Sequence, residues 1–148
     1  MIDGVIVKPL RTIPDDRGPI RHMIRSDWSE FSGFGEVYFS YIEPKAIKAW
    51  RKHTRMTMQL AVPSGAVNIV LYDGRTDSPT FEVIQKVQLG IEAGADYSLL
   101  VVPPGIWNGF QGIAPQQSLV VNCASIPHDP DEAKSLPPDS GQVPYSWT

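Results

Sequence analysis

His53, which closes the run Trp50-Arg51-Lys52-His53, is the side chain in this sequence best suited to move a proton. Histidine has a reference pKa of about 6.5, so a neutral imidazole can abstract a proton near pH 7. Downstream, Val102-Pro103-Pro104-Gly105-Ile106-Trp107-Asn108-Gly109-Phe110 sets polar and aromatic groups among turn-forming residues. Asn108 can donate and accept hydrogen bonds without transferring a proton, as can Asn122 further on. Trp107 offers either core packing or a stacking platform for a base or sugar. His22 and His128 are expected at the surface, the latter in the turn-like Pro127-His128-Asp129-Pro130. Cys123 has no basic neighbour in sequence to activate it and reads as a small apolar core residue.

Strands must position these groups. Gly35 to Ile42, Thr57 to Val62, Ala66 to Tyr72, Phe81 to Leu89, Tyr97 to Val102 and Ser118 to Ala124 are short β-like runs between Pro and Gly signals. The turn Pro63-Ser64-Gly65 closes the second run, and Asp73-Gly74-Arg75 follows the third. A period of two turns Tyr38, Ser40 and Ile42 to one face and Val37, Phe39 and Tyr41 to the other. Tyr72, beside its turn, is less suited to point inward. Helix signals are confined to Ser26–Phe31 and to one turn at Pro130-Asp131-Glu132-Ala133-Lys134, with proline first and acids in the first turn. Leu136 to Thr148 reads as an extended arm pinned by Tyr145 and Trp147.

Composition bounds the function. A length of 148 residues fits one domain over 1–148, and a 42% apolar fraction is that of a globular chain. A net charge of −3 without blocks of like charge disfavours nucleic-acid binding. No apolar run is long enough for a membrane span, and Met1-Ile2-Asp3-Gly4 lacks a signal-peptide pattern, so a cytoplasmic location is expected. A single cysteine excludes a disulfide within the chain.

Many short strands with turns between them indicate an all-β sandwich or barrel. The two stretches above resemble, in order and spacing, the paired motifs of the cupins, H-x-H…E…G and P-x-G-x-x-H. The fold expected is a cupin (double-stranded β-helix, jelly-roll) barrel. On that template the metal positions fall at Arg51, His53, Met58 and Asn108. Of these only His53 is a good transition-metal ligand, so a metal-free barrel without cofactor is expected.

Asp15-Asp16-Arg17-Gly18, His53, Asp73-Gly74-Arg75-Thr76-Asp77-Ser78-Pro79-Thr80-Phe81, Pro104 to Phe110 and Trp147 recur in an order that resembles the dTDP-4-dehydrorhamnose 3,5-epimerase family, over about residues 5 to 147. The resemblance implies that His53 is the base removing a proton next to a C4 ketone. It implies that Arg17 contacts the nucleotide diphosphate, and that Tyr38 and Ser40 line the nucleotide pocket. It also marks departures. The family's tyrosine acid falls at Asn122, a pocket histidine at Asn108, a pocket lysine at Met58, and the arginine of its R-G-L-H pattern at Trp50, with Arg51 adjacent. No aspartate follows Trp147, so the carboxylate that orients the family's histidine is expected to be lacking.

The function expected is epimerisation of a nucleotide-linked 4-keto sugar. His53 is the base and Tyr38 the replacement acid, with Arg17, Ser40, Arg51, Trp107, Asn108 and Asn122 as substrate contacts. A sugar-nucleotide-binding protein without activity, and a keto-sugar isomerase, are the alternatives. A homodimer is expected, with Val5-Ile6-Val7 pairing or swapping between copies. Elemental analysis of the purified protein should find no stoichiometric transition metal; close to one zinc, iron or nickel per chain would overturn the metal-free expectation.

Overall fold

A computed structural model describes residues 1–148 as strands joined by turns, without a helix. The strands are β1 (Ile6–Pro9), β2 (Thr12–Ile13), β3 (Ile20–Arg21), β4 (Glu36–Ile42), β5 (Ile47–His53), β6 (Met58–Ser64), β7 (Ala66–Asp73), β8 (Ile84–Gly90), β9 (Ser98–Val102), β10 (Ile106–Gly112), β11 (Ser118–Ala124) and β12 (Ala133–Ser135). Two five-stranded antiparallel sheets face one another, in the orders β1-β9-β6-β11-β4 and β12-β5-β10-β7-β8. The hairpin β2-β3 stands apart as a third, two-stranded sheet.

Alternation explains the packing. Met58, Leu60 and Val62 of β6 meet Val67, Ile69 and Leu71 of β7 between the sheets, with Leu89, Leu100, Val102 and Val120 around them. Each fully buried Leu or Ile there contributes roughly 1.5–3 kcal/mol. The opposite face of β7 is covered as well: Val70 and Tyr72 pack with Trp50, Trp107 and Val143. The covering layer is the C-terminal arm, whose Tyr145 and Trp147 rings lie 6.0 and 5.0 Å from the Trp50 ring. Gly109 is required under it, because a Cβ there would come within 2.6 Å of Trp147 and 2.7 Å of Ala49. Covered on both faces, β7 reads as a nearly unbroken apolar run.

Several local expectations change. β6 runs on through Pro63 and Ser64, and Gly65, at φ 79°, makes the reversal into β7. β8 starts at Ile84 because Phe81 and Glu82 belong to a turn in which Glu82 takes φ 67°. The segments 26–31 and 130–134 are turns and the start of β12, not helical turns. β1 pairs with β9 of its own chain, Ile6 opposite Val101, leaving its other edge open. No helix is long and apolar enough to cross a membrane.

The motif Asp73-Gly74-Arg75…Ser78-Pro79-Thr80 is a knot at the end of β7. The buried Asp73 carboxylate accepts hydrogen bonds from Arg75 Nε (2.8 Å), Ser78 Oγ (2.7 Å) and Thr80 Oγ1 (2.7 Å). Arg75 Nη2 then donates to the Asp3 carbonyl, and Asp3 N to Thr80 Oγ1, tying down the N-terminus. Burial alone would raise the Asp73 carboxyl, but the bonds from Arg75, Ser78 and Thr80 outweigh it and hold it far below the usual carboxylate range. A depressed folded-state pKa contributes stability above the unfolded value of about 3.9, lost as pH falls toward the folded value. Asp73→Ala should cost about 3 kcal/mol or more in denaturant unfolding at pH 7. The gap to wild type should narrow below about pH 4.

Candidate active site

Between the sheets, on the side of β4 and β5, lies a cavity of about 670 Å³. Glu36, Tyr38 and Ser40 line it from β4, Lys48, Trp50, Arg51 and His53 from β5, and Asn108 and Phe110 from β10. Met58, Leu60 and Val120 form an apolar floor shared with the core, and Asn122 of β11 faces in beside them.

A bulge in β5 determines which of its side chains face inward. Asn108 of β10 opposes Arg51, but the next residue, Gly109, opposes Ala49, so Trp50 is the unpaired extra residue. In an unbroken strand, residues an odd number apart point to opposite faces. The extra residue resets the alternation, so Lys48 and Arg51, and likewise Lys48 and His53, line the same cavity. Lys52 and Trp107, paired across the strands, face outward with the ammonium 4.8 Å from the indole ring.

His53 is 6% exposed and its Nδ1 is hydrogen-bonded to Glu132 Oε1. Glu132 Oε2 accepts backbone N–H bonds from Thr54 (3.1 Å), Arg55 (3.2 Å) and Met56 (3.3 Å). Burial pushes the Glu132 carboxyl up, but His53 and the backbone N–H groups of Arg55 and Met56 outweigh it, and its pKa falls below the usual value. The ionised carboxylate holds the Nδ1–H tautomer, which leaves Nε2 as the nitrogen free to take a proton. Glu132 was not singled out in the sequence, where it resembles a surface acid in a turn. It is placed by β12, whose Ala133 pairs with His53 across to β5. The expected lack of an orienting carboxylate is thereby corrected.

Tyr38 and Asn122 are direct cross-strand partners in β4 and β11. Asn122 Nδ2 donates to Tyr38 Oη at 2.9 Å, and Asn122 Oδ1 accepts from Gln59 N at 3.0 Å, which fixes the amide's orientation. The phenol oxygen therefore accepts one bond and keeps its own proton to donate. A tyrosine hydroxyl stands one strand away from the position where the sequence has asparagine. Asn108 Nδ2 donates to the Arg51 carbonyl at 2.8 Å.

Two residues expected at the site lie elsewhere. Trp107 packs on the outer face of the second sheet with Tyr72 and Trp50. Arg17 caps the β2–β3 hairpin, its side chain 90% exposed and paired bidentately to Asp15, and it does not line the cavity of its own chain. Residues not expected there also line it, among them Glu36, Lys48, and His128, which is exposed at the mouth. No three His, Cys, Asp or Glu side chains converge, and the donors Arg51, Met58 and Asn108 do not suit the transition metal that cupins can hold.

The two sheets define a cupin-type barrel, with a buried imidazole–carboxylate pair and a tyrosine, groups suited to acid–base chemistry, at the cavity between them. The model of the dTDP-4-dehydrorhamnose 3,5-epimerase family matches residues 1–148, and the chain belongs to this family of sugar-nucleotide epimerases. A dTDP sugar isomerase from Desulfovibrio desulfuricans superposes with a TM-score of 0.94 at 43% identity, covering 99% of this chain and 92% of that one. The "probable low-salt glycan biosynthesis epimerase" of Haloferax volcanii is 31% identical over 97% of this chain and 88% of its own. The spore coat polysaccharide biosynthesis protein SpsL of Bacillus subtilis is 30% identical, over 99% and 97%.

The tautomer can be read directly. In nitrogen-detected NMR, His53 should carry its proton on Nδ1 in the wild type. In Glu132→Gln the amide NH₂ can donate to Nδ1, so the proton should move to Nε2. An unchanged tautomer would show that Glu132 does not orient the ring. Glu132→Ala should lower stability by about 3 kcal/mol, since it strips the acceptor from buried donors.

Proposed function

We propose that the protein epimerises a nucleotide-diphosphate-linked 4-keto sugar beside its ketone, without a metal or other cofactor, in glycan or polysaccharide biosynthesis. The observation that carries this reading is the buried His53–Glu132 pair facing the same cavity as Tyr38. The ketone acidifies the neighbouring C–H. His53 Nε2 takes that proton, the C–H bond breaks, and its electron pair moves into the enolate. Tyr38 then delivers its hydroxyl proton to the opposite face of the same carbon. The hydrogen bond from Asn122 Nδ2 stabilises the phenolate left behind. Solvent restores the proton to Tyr38 and removes the one on His53, so substrate and product have the same composition. Arg51, Asn108 and Asn122 supply polar contacts around the sugar, and Ser40 lines the cavity toward the nucleotide.

The binding-only alternative drew its support from a missing orienting carboxylate and a missing acid. Glu132 beside His53, and the Tyr38 hydroxyl in the same cavity, favour the enzyme instead. The isomerase alternative needs further histidines at the reacting carbons, and His128, exposed at the mouth, is the one other histidine that lines the cavity.

We further propose a homodimer acting in the cytoplasm. Val37, Phe39 and Tyr41 of the edge strand β4 are 48, 59 and 52% exposed, an apolar stripe on the face away from the cavity and suited to a second copy. Arg17, directed away from its own cavity, could then serve the site of the other copy. Sedimentation should show a dimer at micromolar concentration, and Phe39→Glu should shift it toward monomer. A wild-type monomer would overturn the assembly.

Incubation with a panel of nucleotide-linked 4-keto sugars in deuterated water, followed by mass measurement, tests the chemistry. The wild type should incorporate deuterium, and His53→Asn should lose about 10²–10⁴-fold in exchange rate. Tyr38→Phe should still exchange deuterium, because His53 can return a proton to the face it came from, but should form little epimer. Equal exchange by wild type and His53→Asn would remove His53 as the base.

A further inference from the structure

We infer that Lys48, held by Ser40 at the mouth of the cavity, is the residue through which this chain grips the diphosphate of its substrate. The inference rests on the nucleotide-sugar reading above. Lys48 Nζ donates to Ser40 Oγ at 3.2 Å and to the Tyr41 carbonyl at 2.5 Å, both neutral acceptors. The ion pairs of the fold engage Lys8, Arg17, Arg25, His53, Arg55 and Arg75, so neither Lys48 nor Arg51 is neutralised by a carboxylate. A lining ammonium with a spare donor and no counter-ion is suited to an anion that arrives with the ligand.

The charges of the lining also set a direction. Lys48 lies near the start of β5 and His53 at its end, separated by five residues, or roughly 13–16 Å of strand allowing for the bulge. Glu132 lies behind His53, and Glu36 lines the cavity from the opposite end of β4 to Ser40. Their charge would repel a phosphate from the His53 end. A substrate lying lengthwise thus places its phosphates at Lys48 and Ser40 and its sugar between His53 and Tyr38. The bulge at Trp50 brings grip and base to one face of the same strand.

Calorimetric titration of the full chain with dTDP, with UDP and with inorganic pyrophosphate tests this without any turnover. Wild type should bind at least one of the nucleoside diphosphates. Lys48→Met should weaken that binding about 10- to 100-fold, the range for loss of a charge-assisted hydrogen bond. Lys48→Arg should keep it within a few-fold, and an unchanged melting curve should show that the exposed substitution leaves the fold intact. With an exchangeable substrate, Lys48→Met should raise KM and leave kcat nearly unchanged. Equal binding by Lys48→Met and wild type overturns the inference, as does failure of all three probes to bind wild type. Diphosphate binding that depends on Lys48, with no deuterium exchange on any 4-keto sugar, would leave this inference standing and remove the epimerase reading instead.

Discussion

The carboxylate of Glu132 receives the imidazole of His53 on one oxygen and the backbone of residues 54–56 on the other. Without those bonds the N–H groups of Arg55 and the buried Met56 would lose their acceptor, and the ring of His53 could rotate. With them, the turn leaving β5 is locked to the segment entering β12, and Thr54 Oγ1 adds a bond of 2.6 Å to the Glu132 carbonyl. The segment that supplies this carboxylate also lines the cavity on that side, through Ser135 and Leu136. Removing the carboxylate would therefore disturb stability and chemistry together, so conservative changes at this position are more informative than deletions.

Legibility in the sequence followed regularity. β4, β6, β7, β9 and β11 could be read because apolar residues alternate, or run unbroken where both faces are covered, between Pro and Gly signals. β5 and β10 carry the motif residues yet do not read as regular strands. β5 contains two lysines and an arginine and is interrupted at Trp50, and β10 contains Gly109 in its interior. The barrel and its family were legible from motif order, and the cavity position of His53 from the same source. Glu132 was not, because a carboxylate recruited from a distant segment leaves no spacing signal. Its position depends on β12 pairing with β5, a contact between residues 80 or more apart.

The polar groups of the cavity show how such a site tolerates substitution. Asparagine stands at position 122, where the resemblance to the family places a tyrosine, and Tyr38 presents a hydroxyl from the paired position of the neighbouring strand. The acid proposed here thus comes from β4 and not from β11. Adjacent strands of a barrel wall offer such paired positions at close range, since Cβ atoms of directly opposed residues lie about 4.5–5.5 Å apart. Where a function depends on an atom's position, a sequence column is an incomplete guide to it.

The extra residue at Trp50 has one further implication. Absorbed into a regular pleat by a one-residue slip of β5 against β10, it would turn Lys48 outward while His53 stayed in place. Lost altogether, it would leave Lys48 and His53 four positions apart and on the same face. The strand thus tolerates a one-codon deletion at that point better than it tolerates a slip in register, since only the slip parts the residue proposed to hold the ligand from the one proposed to react.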